Sequence, residues 1–139
     1  MGTLADVEIA LSAHFSGLGY TYVSWPAGPS VDAPDGSTVY EVDVIHSKGM
    51  AAAITADAHD RYFGSLQVKV LSPNRGLGVT RARTEALAVM QRFKRGTALT
   101  YNGVSVRLFT PTQRHLDHPN PAWYCIVVDC PWEADVPVV

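Results

Sequence analysis

Histidine and carboxylate side chains are the residues whose chemistry could bind a metal or move a proton. In the segment DAHD, Asp57 and Asp60 flank His59, and other histidines such as His46 could in principle complete a site. Imidazoles and carboxylates bind divalent metals, but a protein metal site is marked by a defined ligand spacing. No such spacing is present here or in QRHLDHPNP, residues 113–121. Both segments are therefore interpreted as polar, exposed loops, and no metal site is predicted.

The hydroxyl and thiol groups show no pattern that is typical of a nucleophile. The chain has no Gly-x-Ser-x-Gly elbow and no signature of a catalytic cysteine. Cys125 and Cys130 are five positions apart in YCIVVDC, so a continuous strand directs their side chains to opposite faces and a disulfide is not expected. We predict two reduced, half-buried cysteines, and we predict that the chain is not an enzyme.

The segment SPNRGLG lies between a predicted strand and a predicted helix, which is also where phosphate-binding loops occur. Such loops need Gly-x-x-x-x-Gly-Lys-Ser/Thr or Gly-x-Gly-x-x-Gly, because bare backbone amides must point at the phosphate. Here Gly76 and Gly78 are present, with no third glycine in position and no Lys-Ser/Thr. We therefore predict a connecting loop and no cofactor. Arg75 and Leu77 at its tip are candidate protein-contact residues.

Length and composition limit the class of protein. A chain of 139 residues that is 47% hydrophobic and 17% charged has the size and apolar content of one domain, predicted to span residues 1–139. The formal net charge of -2 argues against a protein that wraps nucleic acid through a basic surface. No apolar run approaches the roughly 20 residues that span a bilayer, and the N-terminus lacks a secretion signal. We expect no membrane contact and synthesis in the cytoplasm.

Apolar residues at spacings of three and four predict two helices. The first begins near Thr3 or Leu4, with Thr3 and Asp6 as a capping pair, and ends at Gly17 and Gly19. The second follows the glycine loop, with Gly96 as its left-handed C-cap. The predicted apolar stripes are Leu4, Val7, Leu11 and Phe15 in the first helix, and Val79, Ala82, Ala86, Met90 and Phe93 in the second.

Alternating patterns predict the strands. Two strands with one apolar face each are predicted from TVYEVDVIHS and SLQVKVL. A hairpin around Asn102-Gly103 is predicted from TALTYNGVSVRLF. The final strand, AWYCIVVDCPW, is predicted to end at Pro131. Residues 50–63 fit either a helix or a strand followed by a loop. Residues 20–37 are predicted to be an extended loop held by Trp25. The predicted core positions of the first two strands are Tyr40, Val42, Val44, Leu66, Val68 and Val70.

The order helix, strands, helix, hairpin and strand predicts an α+β fold, with a mostly antiparallel sheet covered mainly on one face by two helices. Because no active site is predicted, the exposed features are interpreted as contacts with other proteins. Besides the glycine loop, these features are the polar strand faces, exposed strand edges, the hairpin, the proline-rich segment after the first helix, the long loop from Pro111 to Pro121 and the residues Trp25, Trp123 and Trp132. The candidate contact residues in them are Asn102, Arg114 and His115.

The central block from Gly64 to Val106 contains a glycine-started strand reading Q-V-x-V, a proline and glycine turn, a helix that closes on F-x-x-G, and a strand reading G-V-x-V. This block resembles the small tail-terminator proteins of long-tailed bacteriophages and related tail-like particles. The N-terminal helix and the aromatic-led last strand also fit this resemblance. The matching positions are Gly64, Gln67, Val68, Val70, Pro73, Gly76, Phe93, Gly96, Gly103, Val104 and Val106.

The resemblance implies a structural virion protein. Such a subunit assembles with copies of itself into a ring, usually a hexamer, at the head-proximal end of the tail tube. The ring stops polymerisation of the tail tube protein and presents a new face to the head-completion or connector protein. DNA crosses the lumen without specific binding, in agreement with a net charge that is not positive.

Two other interpretations stay open. The first is another ring-forming neck or tail protein, such as a head-tail connector stopper or a tube subunit. The second, from a different class, is a small metal-dependent hydrolase that uses His59 and the acidic residues beside it. Metal analysis of the purified protein would separate this second interpretation from the structural ones.

Overall fold

The computed structural model describes residues 2–26, 28, 33–34, 36–47, 50–51 and 59–137. Two α-helices and eight β-strands form within these ranges. The helices are α1 Leu4–Ser16 and α2 Gly78–Arg92. The strands are β1 Val23–Ser24, β2 Val39–His46, β3 Met50–Ala51, β4 His59–Pro73, β5 Ala98–Tyr101, β6 Val104–Leu108, β7 Thr112–Leu116 and β8 Trp123–Pro137.

The two longest strands, β4 and β8, form the centre of one sheet. They pair antiparallel over 15 residues each, and the strand order is β1-β2-β4-β8-β6-β5, with β3 also beside β4 and β7 also beside β8. Among the described strands only β1 and β2 pair in parallel. We name the end of the β4–β8 pair at Pro73 and Trp123 the loop end, and the end at His59 and Pro137 the hairpin end.

Both helices pack on one face of this sheet, which we name the helix-covered face. The same core contains residues of α1, residues of α2 and the even-numbered positions of β4 and β8. The predicted α+β fold is therefore confirmed. The residues that are least exposed include Val7, Leu11, Phe15, Leu66, Val68, Val70, Ala82, Ala86, Val89, Phe93, Val106, Val128, Cys130 and Trp132.

The opposite face of the sheet, the helix-free face, carries a second, small apolar cluster near the loop end. Leu71, Cys125 and Val127 are buried there, with Leu116 and Trp123 packed against them. Cys125 thus lies on this face while Cys130 lies in the main core, and both are free thiols. The prediction of two reduced cysteines on opposite faces is confirmed, although they are fully buried. Burial raises the pKa of the Cys130 thiol to about 12.

Helix α1 begins as the sequence predicts. The carboxylate of Asp6 accepts a hydrogen bond from the backbone N–H of Thr3 at 2.8 Å, which stabilises the first turn. The helix ends at Ser16, and Gly17 is its C-cap. Helix α2 ends at Arg92, so the prediction that Gly96 is its C-cap is wrong. Gly96 has φ +88° and donates to the Leu108 carbonyl at 3.0 Å, in the turn that leads into β5.

The final strand does not end at Pro131, because β8 continues to Pro137. Proline lacks the N–H that a sheet ladder needs. The Pro131 carbonyl accepts from Phe109 N–H, so the backbone of Pro131 faces the side on which β6 and β7 lie. On that side β7 pairs only as far as Asp129 and β6 begins to pair at Trp132. Pro131 therefore occupies a gap in the ladder, where the sheet requires no donor.

Two segments predicted as loops contain short strands. Thr112–Leu116, within the predicted loop from Pro111 to Pro121, is strand β7 and pairs with β8. Its residues are exposed except for the partly buried Leu116, so it shows no alternation that sequence could reveal. In the segment 20–37, Val23–Ser24 forms β1, and the Trp25 ring packs edge-on against Phe15 as the prediction of an anchor implies.

The segment that fitted either a helix or a strand is strand in its described parts. Met50–Ala51 is β3, and β4 begins at His59, earlier than the strand predicted from SLQVKVL. Residues 52–58, which include Asp57 of the DAHD segment, lie outside the described residues.

Candidate functional site

The glycines of the loop between β4 and α2 have a mechanical explanation. Gly76 has φ +55°, a conformation that residues with a side chain rarely adopt. At Gly78 an added Cβ would lie 1.7 Å from the Pro73 carbonyl oxygen, so only glycine allows this close approach. The Gly78 N–H donates to the Arg75 carbonyl at 3.0 Å and is therefore used within the loop. The geometry accounts for both glycines without a phosphate ligand.

The tip of this loop is presented to solvent on a fixed support. Leu77 is 75% exposed, the largest exposure among the large apolar side chains of the described chain, and Arg75 is also exposed. The preceding residue, Asn74, donates its backbone N–H to the Ala122 carbonyl at 2.7 Å and its amide to the Pro121 carbonyl at 3.3 Å. The loop is thereby held against the start of β8. An exposed leucine on such a support is suited to contact another protein.

Arg114 and His115 lie in strand β7 rather than in a loop. The His115 ring stacks on Tyr124 with 4.8 Å between the ring centroids, and the Arg114 guanidinium lies 3.5 Å from the Asp129 carboxylate. The His115 side chain is 51% exposed and the Arg114 side chain is 52% exposed. They therefore have fixed positions and remain accessible to a partner.

Asn102 lies at the other end of the sheet from the other candidate contact residues. It occupies the β5–β6 turn with φ 47°, next to Gly103 at φ 83°, as the predicted hairpin turn requires. Its amide donates to Asp6 at 3.3 Å and so connects the hairpin to the start of α1. The register places this turn at the hairpin end, whereas the glycine loop and β7 lie toward the loop end. Sequence had suggested no such separation. The role of all five residues as contacts stays a prediction.

Four charged side chains form an ion-pair network on the helix-free face near the hairpin end, which sequence reasoning did not detect. Asp135 accepts from Arg61 and from Arg107, each at 3.0 Å, and Arg107 also pairs closely with Glu133. The four residues come from β4, β6 and β8, which are distant in sequence. Burial alone would raise the pKa of Asp135, but hydrogen bonds from Arg107 and Arg61 outweigh it and lower the pKa.

The network predicts a pH-dependent contribution to stability. A carboxylate whose pKa is lower in the folded chain stabilises the fold above its unfolded pKa, and this contribution is lost as the pH falls through the folded value. Asp135→Asn should therefore lower the free energy of unfolding at pH 7. The difference from wild type should shrink below about pH 4, the ordinary range of an aspartate. Urea unfolding between pH 7 and pH 3 measures it.

Asp117→Asn is the matched control, because the Asp117 side chain is fully exposed, at 100%. It should leave the free energy of unfolding nearly unchanged at every pH in this range. A difference between wild type and Asp135→Asn that stays constant from pH 7 to pH 3 would show that the ionised network does not stabilise the fold.

Within the described ranges, no group of three or more His, Cys, Asp or Glu side chains lies close enough together to hold a metal ion. Neither described helix is long and apolar enough to cross a membrane. Three surfaces of the described chain have a defined geometry: the loop tip, the outer side of β7, and the outer side of β2. Polar strand faces and exposed strand edges were predicted as contacts in general, but the sequence did not single out the acidic strand TVYEVDVIHS.

A family model described as phage tail terminator protein matches residues 6–132. One similar solved structure, whose name states no function, shares 16% identity over 96% of each chain with a TM-score of 0.73. Another, a chain in the structure of the virion of a native gene transfer agent particle, shares 17% identity over 97% of each chain with a TM-score of 0.60. At these identities the two structures show a shared fold. No curated protein is similar enough in sequence to be matched with the chain.

Proposed function

Because this chain belongs to the phage tail terminator protein family, we propose that it forms a ring of six subunits that caps the head-proximal end of the tail tube. In this proposal the ring stops polymerisation of the tube and carries the interface that joins the tail to the head. Membership of the family makes the chain a structural protein of the phage tail and not an enzyme.

The observation that carries this proposal is the extent of the family match. Residues 6–132 run from the first turn of α1 into the second half of β8, so the match includes both helices and the whole region of the candidate contact surfaces. A match of this extent concerns the whole architecture rather than one shared motif. The similarity in fold to a chain of a gene transfer agent virion supports a location in the virion.

The arrangement of the sheet supports self-assembly. A cyclic ring needs two different, complementary surfaces on each subunit, because every contact joins one surface to the other. In the described part of the chain, β7 has no strand on its outer side at one edge of the sheet, and most of β2 has none at the other. Two open edges on opposite sides of one sheet are suited to a head-to-tail contact.

The remaining surfaces are assigned to the two neighbours of the ring. The tail tube protein contacts one rim and the head-completion or connector protein contacts the other, and DNA passes through the lumen without specific binding. The loop end, with Leu77 at its exposed tip, provides one of these two contacts. A net charge of -2 suits a channel that does not hold DNA. The test is the number and position of rings on assembled tails, for which one ring at the head-proximal end is expected.

A further inference from the structure

We propose that neighbouring copies of this chain join by extending the sheet, so that β7 of one copy lies antiparallel beside β2 of the next copy, with Arg114 opposite Asp43. This inference rests on the self-assembly that the proposed function includes, and it specifies the surface that self-assembly uses. The occupant of each open edge is therefore a second copy of this chain.

The two edges have matching free lengths. Strand β1 pairs with β2 only at Tyr40 and Glu41, which leaves the outer side of β2 from Val42 to His46 without a strand in the described residues. Strand β7 has five residues, Thr112–Leu116, and within the described chain it pairs only with β8. An added strand of four or five residues matches both edges in length. On the β2 edge it would lie against Trp25 and Pro26, which follow β1 and line the hollows beside Val42 and Asp43.

The strand directions favour antiparallel pairing. Strand β2 is antiparallel to β4, β4 is antiparallel to β8, and β8 is antiparallel to β7. Within one copy, β2 and β7 therefore run in opposite directions. If a second copy continues the same sheet, its β2 runs in the same direction as β2 of the first copy. The second copy's β2 is then antiparallel to β7 of the first copy, beside which it lies. Antiparallel pairing is also slightly more stable per residue than parallel pairing.

The charges on the two edges are complementary on the same face. Arg114 is opposite Val127, whose side chain is on the helix-free face. Glu41 and Asp43 are opposite Lys69 and Gln67 at odd-numbered positions of β4, which also face away from the helices. An extended sheet therefore places the cation of one copy beside the carboxylates of the next. Opposite charges directly across an antiparallel pair stabilise it.

The hydrogen-bonding phase permits this register. Tyr40 N–H donates to the carbonyl of Tyr22, the residue before β1, so the backbone groups of even-numbered β2 residues, including Val44, point outward. Odd-numbered residues of β8 point toward β7, as the Pro131 carbonyl shows, so in β7 it is Gln113 and His115 that point outward. When Arg114 is opposite Asp43, the outward backbone groups of Gln113 and His115 meet those of Val44 and Val42. The four residue pairs then run from Thr112 with Ile45 to His115 with Val42.

Hollows flank the β2 edge on both faces of the sheet. A hollow of about 260 Å³ on the helix-free side is lined by Trp25, Pro26, Glu41 and Asp43 among others. A second hollow of about 230 Å³ on the side of α1 is lined by Glu8, Ser12, Val42 and Val44, and it shares Trp25, Pro26 and Asp43 with the first. Side chains of an incoming strand alternate between the two faces of a sheet, and each hollow can receive one set.

The contact is expected to be weak for the free protein. Four residue pairs form a contact much smaller than the roughly 1,200 Å² of a stable interface, so a ring would close most readily where a tube end holds the copies together. Charged residues on a short edge strand also protect a monomer from unwanted pairing. Disulfide trapping between the two edges separates that protective role from a contact between copies.

Disulfide trapping tests the register. Thr112 and Ile45 form a predicted pair that is not hydrogen-bonded, in which Cβ atoms lie closest, and both are exposed in the described chain. The Ile45→Cys and Thr112→Cys proteins, mixed at the highest soluble concentration and oxidised, should give a cross-linked dimer. A chain with both substitutions should give a ladder of larger species. The native cysteines are buried and should not react.

Thr100→Cys mixed with Ile45→Cys is the matched control, because Thr100 is an exposed threonine of β5, the other edge strand. Dimer formation no greater than in this control overturns the proposal, and it would indicate that another segment of the same chain covers the β2 edge. Cross-linking of Thr112→Cys alone to the same extent also overturns it, because the contact would then be symmetric. Rings seen by electron microscopy without the 45–112 disulfide would contradict this contact while leaving the proposed ring in place.

Charge exchange gives a second measurement. Arg114→Glu should reduce the trapping between positions 112 and 45, and adding Asp43→Arg in the same chain should restore it, since the pair is then reversed. Within one copy, Arg114→Glu removes the pair with Asp129, in which the arginine side chain is 52% exposed, so folding should be little affected. Two results would contradict the pairing of Arg114 with Asp43. In the first, Arg114→Glu leaves the yield of the 45–112 disulfide unchanged. In the second, adding Asp43→Arg fails to restore that yield.

Discussion

Replacing Phe93 with alanine is expected to lower the free energy of unfolding by about 3–5 kcal/mol, the range for removal of a buried aromatic side chain. Phe93 is 0% exposed and follows the last turn of α2. The His14 ring of α1 packs edge-on against it with 4.9 Å between the centroids. The side chain thus fills the junction between both helices and the sheet, and its loss leaves a cavity that the backbone cannot easily close.

The measurement is urea or thermal unfolding of the purified variant beside Phe109→Ala. Phe109 is 40% exposed, so its removal should cost much less than the removal of Phe93. Because small domains are stable by only about 5–15 kcal/mol, Phe93→Ala should be strongly destabilised or insoluble. A Phe93→Ala protein within about 1 kcal/mol of wild type would mean that the helices do not pack on the sheet as described.

Replacing Leu77 with serine is expected to impair the joining of tails to heads without affecting the fold of the chain. The side chain is 75% exposed, so the free energy of unfolding should change by no more than about 0.5 kcal/mol. If the partner buries Leu77, the lost transfer free energy of about 1.5–3 kcal/mol corresponds to binding weaker by about tenfold or more. The measurements are the yield of joined particles and thermal unfolding of the free protein.

Leu87→Ser provides the matched control, since Leu87 is an exposed leucine, at 50%, in the middle of α2. It should leave both stability and joining close to wild type. A normal yield of joined particles with Leu77→Ser would remove the loop tip from the contact surface. Equal loss from both substitutions would show that exposed apolar surface in general, and not this loop, is responsible.

Sequence predicted the elements in which alternation or helical spacing is strong, and it failed where pairing alone defines the element. The apolar stripe of α1, the core face of β2 and the Asn102-Gly103 turn are visible locally, because each is encoded in consecutive residues. Strand β7 has almost no buried side chain, and it exists because β8 supplies hydrogen-bond partners. Pro131 was interpreted as a strand end, since only the three-dimensional sheet shows the gap that accommodates it.

The candidate contact surfaces were predictable only in part, for the same reason. Arg114 and His115 are exposed as expected, but their place on an open sheet edge depends on the register with β8. The acidic face of β2 has meaning as a contact only once it is known that β2 lies at the opposite edge of the same sheet. The network around Asp135 joins three strands that are far apart in sequence, and no local pattern could indicate it.

Electron microscopy of assembled tails in which this chain carries a C-terminal density or gold label tests most directly whether the chain terminates the tail. One six-fold ring of label at the head-proximal end of each tube is the result predicted, with no label along the tube. Label at every repeat of the tube would make the chain a tube subunit. Label confined to the other end, or tails of normal length and joining that lack the chain, would contradict the proposal that it terminates the tail.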